Sequence, residues 1–199
     1  MNHHTPDLND LIGSRICHDL ISPLGAISNG LELLAMTTKL EGPEVALITD
    51  SVDNANARIR FFRIAFGAAS EGQMSGEAEV RSLLADMVRG GRVSLDWQAG
   101  GDQPRQIVKL VFLLIQCFET AMPWGGKITI ASNASEWLIQ GTGDRLQVDP
   151  DIWQVLARPA DGAGLDAAKV HFALAPIAAA AIGRRLIFES TETTAKVRF

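Results

Sequence analysis

From Leu8 to Met36 apolar residues return every three or four positions, and Leu20, Leu24, Ile27, Leu31 and Leu34 form one seam at about 100° per residue. The spacing predicts a long amphipathic helix, with Asp7 and Asn9 as candidate N-caps. His18, Ser22, Gly25, Asn29 and Glu32 repeat at the same intervals on the opposite side, so small and polar side chains flank a single imidazole and leave it open. Glu41-Gly42-Pro43 breaks the pattern, and Val45, Ile48, Val52, Ala55, Ile59, Phe62 and Phe66 resume it as a second long helix. Together they predict a helical hairpin. Apolar residues outside either seam, at Ile12, Ile21, Leu33, Leu47, Phe61 and Ile64, need further cover. Either a second copy supplies it in a four-helix bundle, or the second half of the chain does.

The stretch from Gly67 to Gly76 is small and polar and carries three glycines, which marks a boundary between a hairpin domain (residues 1–70) and a second domain (residues 77–199). Periodicity in the second domain predicts helices at 78–88, 105–121 and 170–182. It predicts strands at 93–97, 128–131, 137–140, 185–189 and 195–199. That order implies an α+β sandwich, a mixed sheet with helices over one face.

A chain of 199 residues, 47% hydrophobic and 21% charged, is globular rather than disordered. A net charge of -5 supplies no basic footprint for nucleic acid or an anionic membrane surface, so a protein partner is expected. The first residues lack a basic segment followed by an apolar core, and the longest apolar runs, 110–115 and 172–182, fall short of the ~20 residues that cross a bilayer. The expectation is a cytoplasmic protein. Cys17 and Cys117 have neither disulfide nor metal-ligand spacing, and His3 and His4 stand alone near the terminus, so no metal is assigned to the chain.

The local chemistry concentrates around His18. Asp19 follows it, Arg15 lies one turn back, Ser22 one turn on, and Pro23 sits inside the helical pattern. A proline in a helix interior costs roughly 3 kcal/mol, which argues for a kink with a purpose. The competing reading ends the helix at Ile21. His-Asp-x-x-Ser-Pro-Leu at 18–24 resembles the phosphoacceptor box of sensor histidine kinases, in which the histidine carries a phosphoryl group. An imidazole that is neutral near pH 7 has a ring nitrogen free to attack phosphorus. Asp19 could fix the tautomer through the other nitrogen, given a favourable rotamer, and Arg15 and Ser22 could donate to phosphoryl oxygens. Ordinary helix-surface solvation is the alternative for both. Gly25 and Asn29 complete the open face offered to the phosphoryl group and its carrier.

The second domain resembles the ATP-binding domain of histidine kinases, most visibly in Cys117-Phe-Glu-Thr-Ala-Met-Pro-Trp-Gly-Gly126-Lys-Ile. On that alignment the magnesium-binding asparagine of the family falls on Cys117, and a thiol does not replace an oxygen donor for magnesium. The adenine-binding acidic position falls on Ile139, in Ile139-Gln-Gly141-Thr-Gly143. Gly162-Ala-Gly-Leu165 is a faint counterpart of the second glycine box. No nucleotide-binding residues are therefore assigned.

Residues 8–199 as a whole resemble the alphaproteobacterial histidine phosphotransferase family (ChpT-like), built from a dimeric helical hairpin and a degenerate ATPase-like domain. The resemblance implies a homodimeric phosphorelay protein. Its His18 would accept a phosphoryl group from the receiver-domain aspartate of a hybrid sensor kinase and pass it to response-regulator receivers. It implies no cofactor on this chain, the magnesium ion and acceptor aspartate residing in the partner receiver. A divergent ATP-dependent histidine kinase and a non-catalytic dimeric adaptor that docks receivers remain as alternatives.

Overall fold

The computed structural model describes residues 8–37, 42–133, 136–158 and 166–199. His3, His4, Asp7, Glu41 and the Gly162–Leu165 segment lie outside them. Within that range the chain forms six α-helices and a mixed sheet, and it divides into two compact units, residues 1–68 with 82–89, and residues 69–81 with 90–199.

The first unit is built on α1 (Leu8–Thr37) and α2 (Pro43–Ala65). Helix α1 runs unbroken through Pro23, so the reading that ends it at Ile21 is overturned. Its five-leucine/isoleucine seam is split by the packing. Leu24 and Leu31 are half-buried, whereas Leu20, Ile27 and Leu34 stay exposed, with Ile16, Leu47 and Ile48. The α1 side that meets α2 runs through Gly13, Cys17 and the half-buried Leu24 and Leu31. A Cβ on Gly13 would sit 2.7 Å from the Phe66 carbonyl oxygen, so glycine is what allows the helices to approach there. On α2 the deepest residues are Phe61, Ile64, Ala65 and Ala57, on the side away from the predicted seam.

The second unit holds a five-stranded sheet in the order β2-β4-β5-β7-β6, from β2 (Val93–Trp97), β4 (Gly126–Ser132), β5 (Trp137–Thr142), β6 (Ile187–Ser190) and β7 (Thr194–Arg198). Strands β2 and β4 are parallel and the remaining pairs antiparallel. Ile130, Ile139 and Val197 face one another across three strands and are fully buried, while Thr129, Gln140 and Lys196 alternate with them on the more open face. Short strands β1 (Met74–Ser75) and β3 (Gln103–Pro104) form a separate antiparallel pair. Helix α3 (Glu77–Val88) precedes β2. Helices α4 (Arg105–Ala121), α5 (Pro150–Ala157) and α6 (Val170–Ala181) pack together, α4 on α6 and α6 on α5.

Helix α4 is buried on every side from Leu110 to Ile115, which explains its continuous apolar run. Helix α5 was not expected from periodicity, although its start is written in Asp149-Pro150-Asp151. The Asp149 carboxylate accepts from the Asp151 backbone N–H at 3.1 Å, and proline occupies the first turn. Gly125 and Gly126, at φ +96° and +144°, make the turn from α4 into β4 beside the Arg92 and Thr142 carbonyls, a conformation and a space that exclude a side chain.

His171 on α6 is buried, its Nε2 3.4 Å from the Thr120 hydroxyl, and burial pushes its pKa down to about 4. The unfolded imidazole titrates near 6.5, so between pH 6.5 and 4 the unfolded chain binds the extra proton and stability falls as pH falls. At about 1.4 kcal/mol per pH unit the full loss is roughly 3 kcal/mol, of which about 2 kcal/mol is expected by pH 5. Denaturant unfolding at pH 7 and pH 5 measures it, and the His171→Gln variant should lose that part of the pH dependence.

Candidate functional site

His18 projects from the middle of α1 with its side chain 80% exposed. Its Nδ1 lies 3.2 Å from Asp19 Oδ1, and the other Asp19 oxygen accepts from Arg15 Nε at 2.8 Å. Arg15, Asp19 and His18 thus form one hydrogen-bonded chain on the helix surface. Neighbouring helical residues point about 100° apart, yet the short carboxylate arm bends far enough to meet the ring, the rotamer the sequence reading required. The hydrogen bond with His18, and then the Arg15 bond and charge, hold the Asp19 carboxyl below the usual carboxylate range. An ionised Asp19 favours the tautomer with the proton on Nδ1, leaving the Nε2 lone pair toward solvent.

Ser22 and Asn29 are exposed and Gly25 half-buried, all on the His18 flank of α1. Gly25 has no atom within 4 Å of where a Cβ would stand, so the space over it is open. At about 1.5 Å rise per residue, Ser22 is one turn from His18, within reach of a group carried on the ring. Gly25 and Asn29 are about 10 and 16 Å along the axis. They lie along the same flank of the helix rather than beside the ring.

No residue of α2 was placed at the site from sequence, because helix register is not written in either helix alone. The packing supplies it. Gly13 lies against Phe66, and one groove is lined by Ser28, Leu31 and Glu32 of α1 with Thr49, Val52 and Asp53 of α2. Opposed residue numbers therefore add to about 80, which sets His18 level with Phe62 and Cys17 level with Arg63. Cys17 is a buried free thiol. Burial raises its pKa, and the Arg63 charge acts against that rise.

In the second unit, Cys117 is fully buried within α4, its thiol 3.5 Å from the Leu113 carbonyl, and burial drives its pKa well up. Ile139 is fully buried in the sheet. Gly141 is required by packing, since a Cβ there would meet the Phe118 ring of α4 at 2.6 Å. Among the described residues no group of three or more histidine, cysteine or acidic side chains is arranged to hold a metal ion.

Residues 77–194 match the family described as the histidine phosphotransferase C-terminal domain. The protein phosphotransferase ChpT of Brucella abortus (strain 2308) is 35% identical over 171 residues, 83% of this chain and 81% of that protein. A bacterial phosphotransferase solved at 1.7 Å superposes with a TM-score of 0.65 at 29% identity, covering 93% of this chain and 91% of that one. Full-length ShkA in complex with AMPPNP superposes with a TM-score of 0.52 at 16% identity, over 96% of this chain and 45% of that one, a likeness of fold.

Proposed function

Because this chain belongs to the histidine phosphotransferase family, we propose that it works as a phosphorelay carrier through His18. In this reading the chain takes a phosphoryl group from the receiver aspartate of a hybrid sensor kinase and delivers it to response-regulator receivers. The observation that carries it is the open imidazole whose Nδ1 is engaged by Asp19 and whose Nε2 has no partner among the described residues. The Nε2 lone pair attacks phosphorus, the acyl phosphate P–O bond breaks, and the receiver carboxylate leaves with the electron pair. The ring keeps its Nδ1 proton and becomes cationic, and the Asp19 carboxylate offsets that charge. Delivery to a second aspartate is the reverse. Magnesium bound by the receiver would supply the charge that offsets the phosphoryl oxygens, and the transfer itself would use no nucleotide.

A relay without autokinase activity is supported by the second unit, where a core thiol and a sheet isoleucine stand at the two positions that would meet magnesium and adenine. Transfer of labelled phosphate from a purified phosphorylated receiver, with labelled ATP alone as control, tests the reading. Label from the receiver and none from ATP supports it. Label from ATP alone would instead establish a kinase, and no label from any receiver an adaptor.

The working form is a homodimer. Ile16, Leu20, Ile27, Leu34, Leu47 and Ile48 leave an apolar face on a two-helix hairpin, and a second hairpin would bury it in a four-helix bundle. A paired Leu20→Glu and Ile27→Glu replacement should convert a particle of twice 21.4 kDa into one of 21.4 kDa in sedimentation equilibrium. An unchanged mass would place the interface elsewhere. In described residues no helix is long and apolar enough to cross a membrane, which suits a cytoplasmic relay.

A further inference from the structure

We propose that Arg63 of α2 is a phosphoryl-binding residue, the guanidinium that holds the oxygens of a phosphoryl group carried on His18. The inference rests on the reading of His18 as phosphoacceptor and adds to it a group from the second helix. The groove lined by Glu32 and Ser28 on one side and Asp53 and Thr49 on the other marks the flank that the two helices share. A heptad returns a residue to nearly the same side of a helix. Two heptads back from Glu32 is His18, and two heptads on from Thr49 is Arg63. The side chains that face each other across the groove therefore have His18 and Arg63 as their counterparts at the level of the phosphoacceptor. Arg63 is level with Cys17, about 1.5 Å along the axis from His18, and packed helices lie about 8–10 Å apart, a gap that a long arginine side chain spans.

The other arginines of the hairpin are occupied or misdirected. Arg15 is bonded to Asp19 at 2.8 Å, so its charge is already matched. Arg60, one heptad on from Asp53, is drawn to Asp86 at 3.8 Å. Arg58, five residues from Arg63, points about 140° away round the helix. Arg63 is exposed and has no carboxylate partner among the described residues. A phosphoryl group brings close to two negative charges onto a ring beside an ionised Asp19, and an uncommitted guanidinium on the same flank is the group suited to receive them.

Phosphoramidate, a small donor with a P–N bond, tests this on the full chain without a receiver. The ring Nε2 displaces ammonia from phosphorus, and phosphorus-31 NMR reads both the rate and the pH midpoint of the phosphohistidine resonance. Arg63→Ala should slow phosphorylation roughly tenfold and move the midpoint to higher pH, since a neighbouring cation favours the dianion. Arg63→Lys, which keeps the charge, should restore the midpoint and part of the rate. A midpoint unmoved in Arg63→Ala overturns the proposal even if the rate falls, because a role confined to packing would slow the reaction without touching the titration. Absence of the resonance in the wild type would remove the His18 reading, and this inference with it. Should Arg63→Ala fail to fold, an Arg63→Lys midpoint equal to that of Arg63→Gln would overturn it as well.

Discussion

His18→Gln should reduce phosphoryl acceptance from a phosphorylated receiver to background, a loss of at least roughly a thousandfold. Glutamine is polar and fits an exposed helix position, so the circular dichroism and thermal midpoint should match the wild type. What disappears is the Nε2 lone pair, for which no neighbour substitutes. Cys17 is buried with its thiol pKa raised, and the Asp19 carboxylate is held by Arg15. Acid-labile, alkali-stable label on the wild type and its absence from the variant would identify a phosphoramidate at this ring. Persistent label on the variant would move the phosphoacceptor elsewhere.

Trp153→Ala carries the largest expected loss of stability. The indole is 1% exposed and stands at the centre of an aromatic cluster, 4.5 Å from the Phe188 ring and 5.4 Å from both Phe118 and Phe172. It thereby ties α5 to α4, α6 and β6 in one core. Truncating a buried tryptophan costs about 3–5 kcal/mol through lost burial and the cavity left behind, which for a chain of this length lowers the thermal midpoint by about 10 °C. A melt followed by near-ultraviolet circular dichroism measures it, and a change under 1 kcal/mol would mean the site collapses around the gap. Trp153→Phe keeps most of the volume and should recover the greater part of the loss.

The core around Trp153 also shows where reading the sequence stops. Hydrophobic period and breakers placed α1, α2, α3, β2, α4, β4, β5, α6, β6 and β7 to within a few residues, because each has a strong local pattern bounded by glycine, proline or a cap. They did not place α5, whose eight residues carry too few turns for periodicity. Its Asp149 cap and Pro150 were the available signal. Nor did periodicity indicate that Gly141 is glycine because Phe118 lies on it, a contact between residues 23 positions apart.

The hydrogen-bonded set of His18, Asp19 and Arg15 was legible, since these residues lie within about one helical turn of one another and helical geometry is local. The division of the α1 seam into a side turned toward α2 and an open side was not. Both halves are equally apolar in the sequence, and which leucines are covered depends on the angle at which a second helix arrives. The same holds for Arg63. Its place level with Cys17 follows from a helix-to-helix register that Gly13 sets by admitting the Phe66 backbone. Local spacing thus wrote His18 and its hydrogen-bonded neighbours into the chain. Which α2 residues stand level with it was decided by packing, because side chains distant in sequence become neighbours only once close-packed elements have one way to fit.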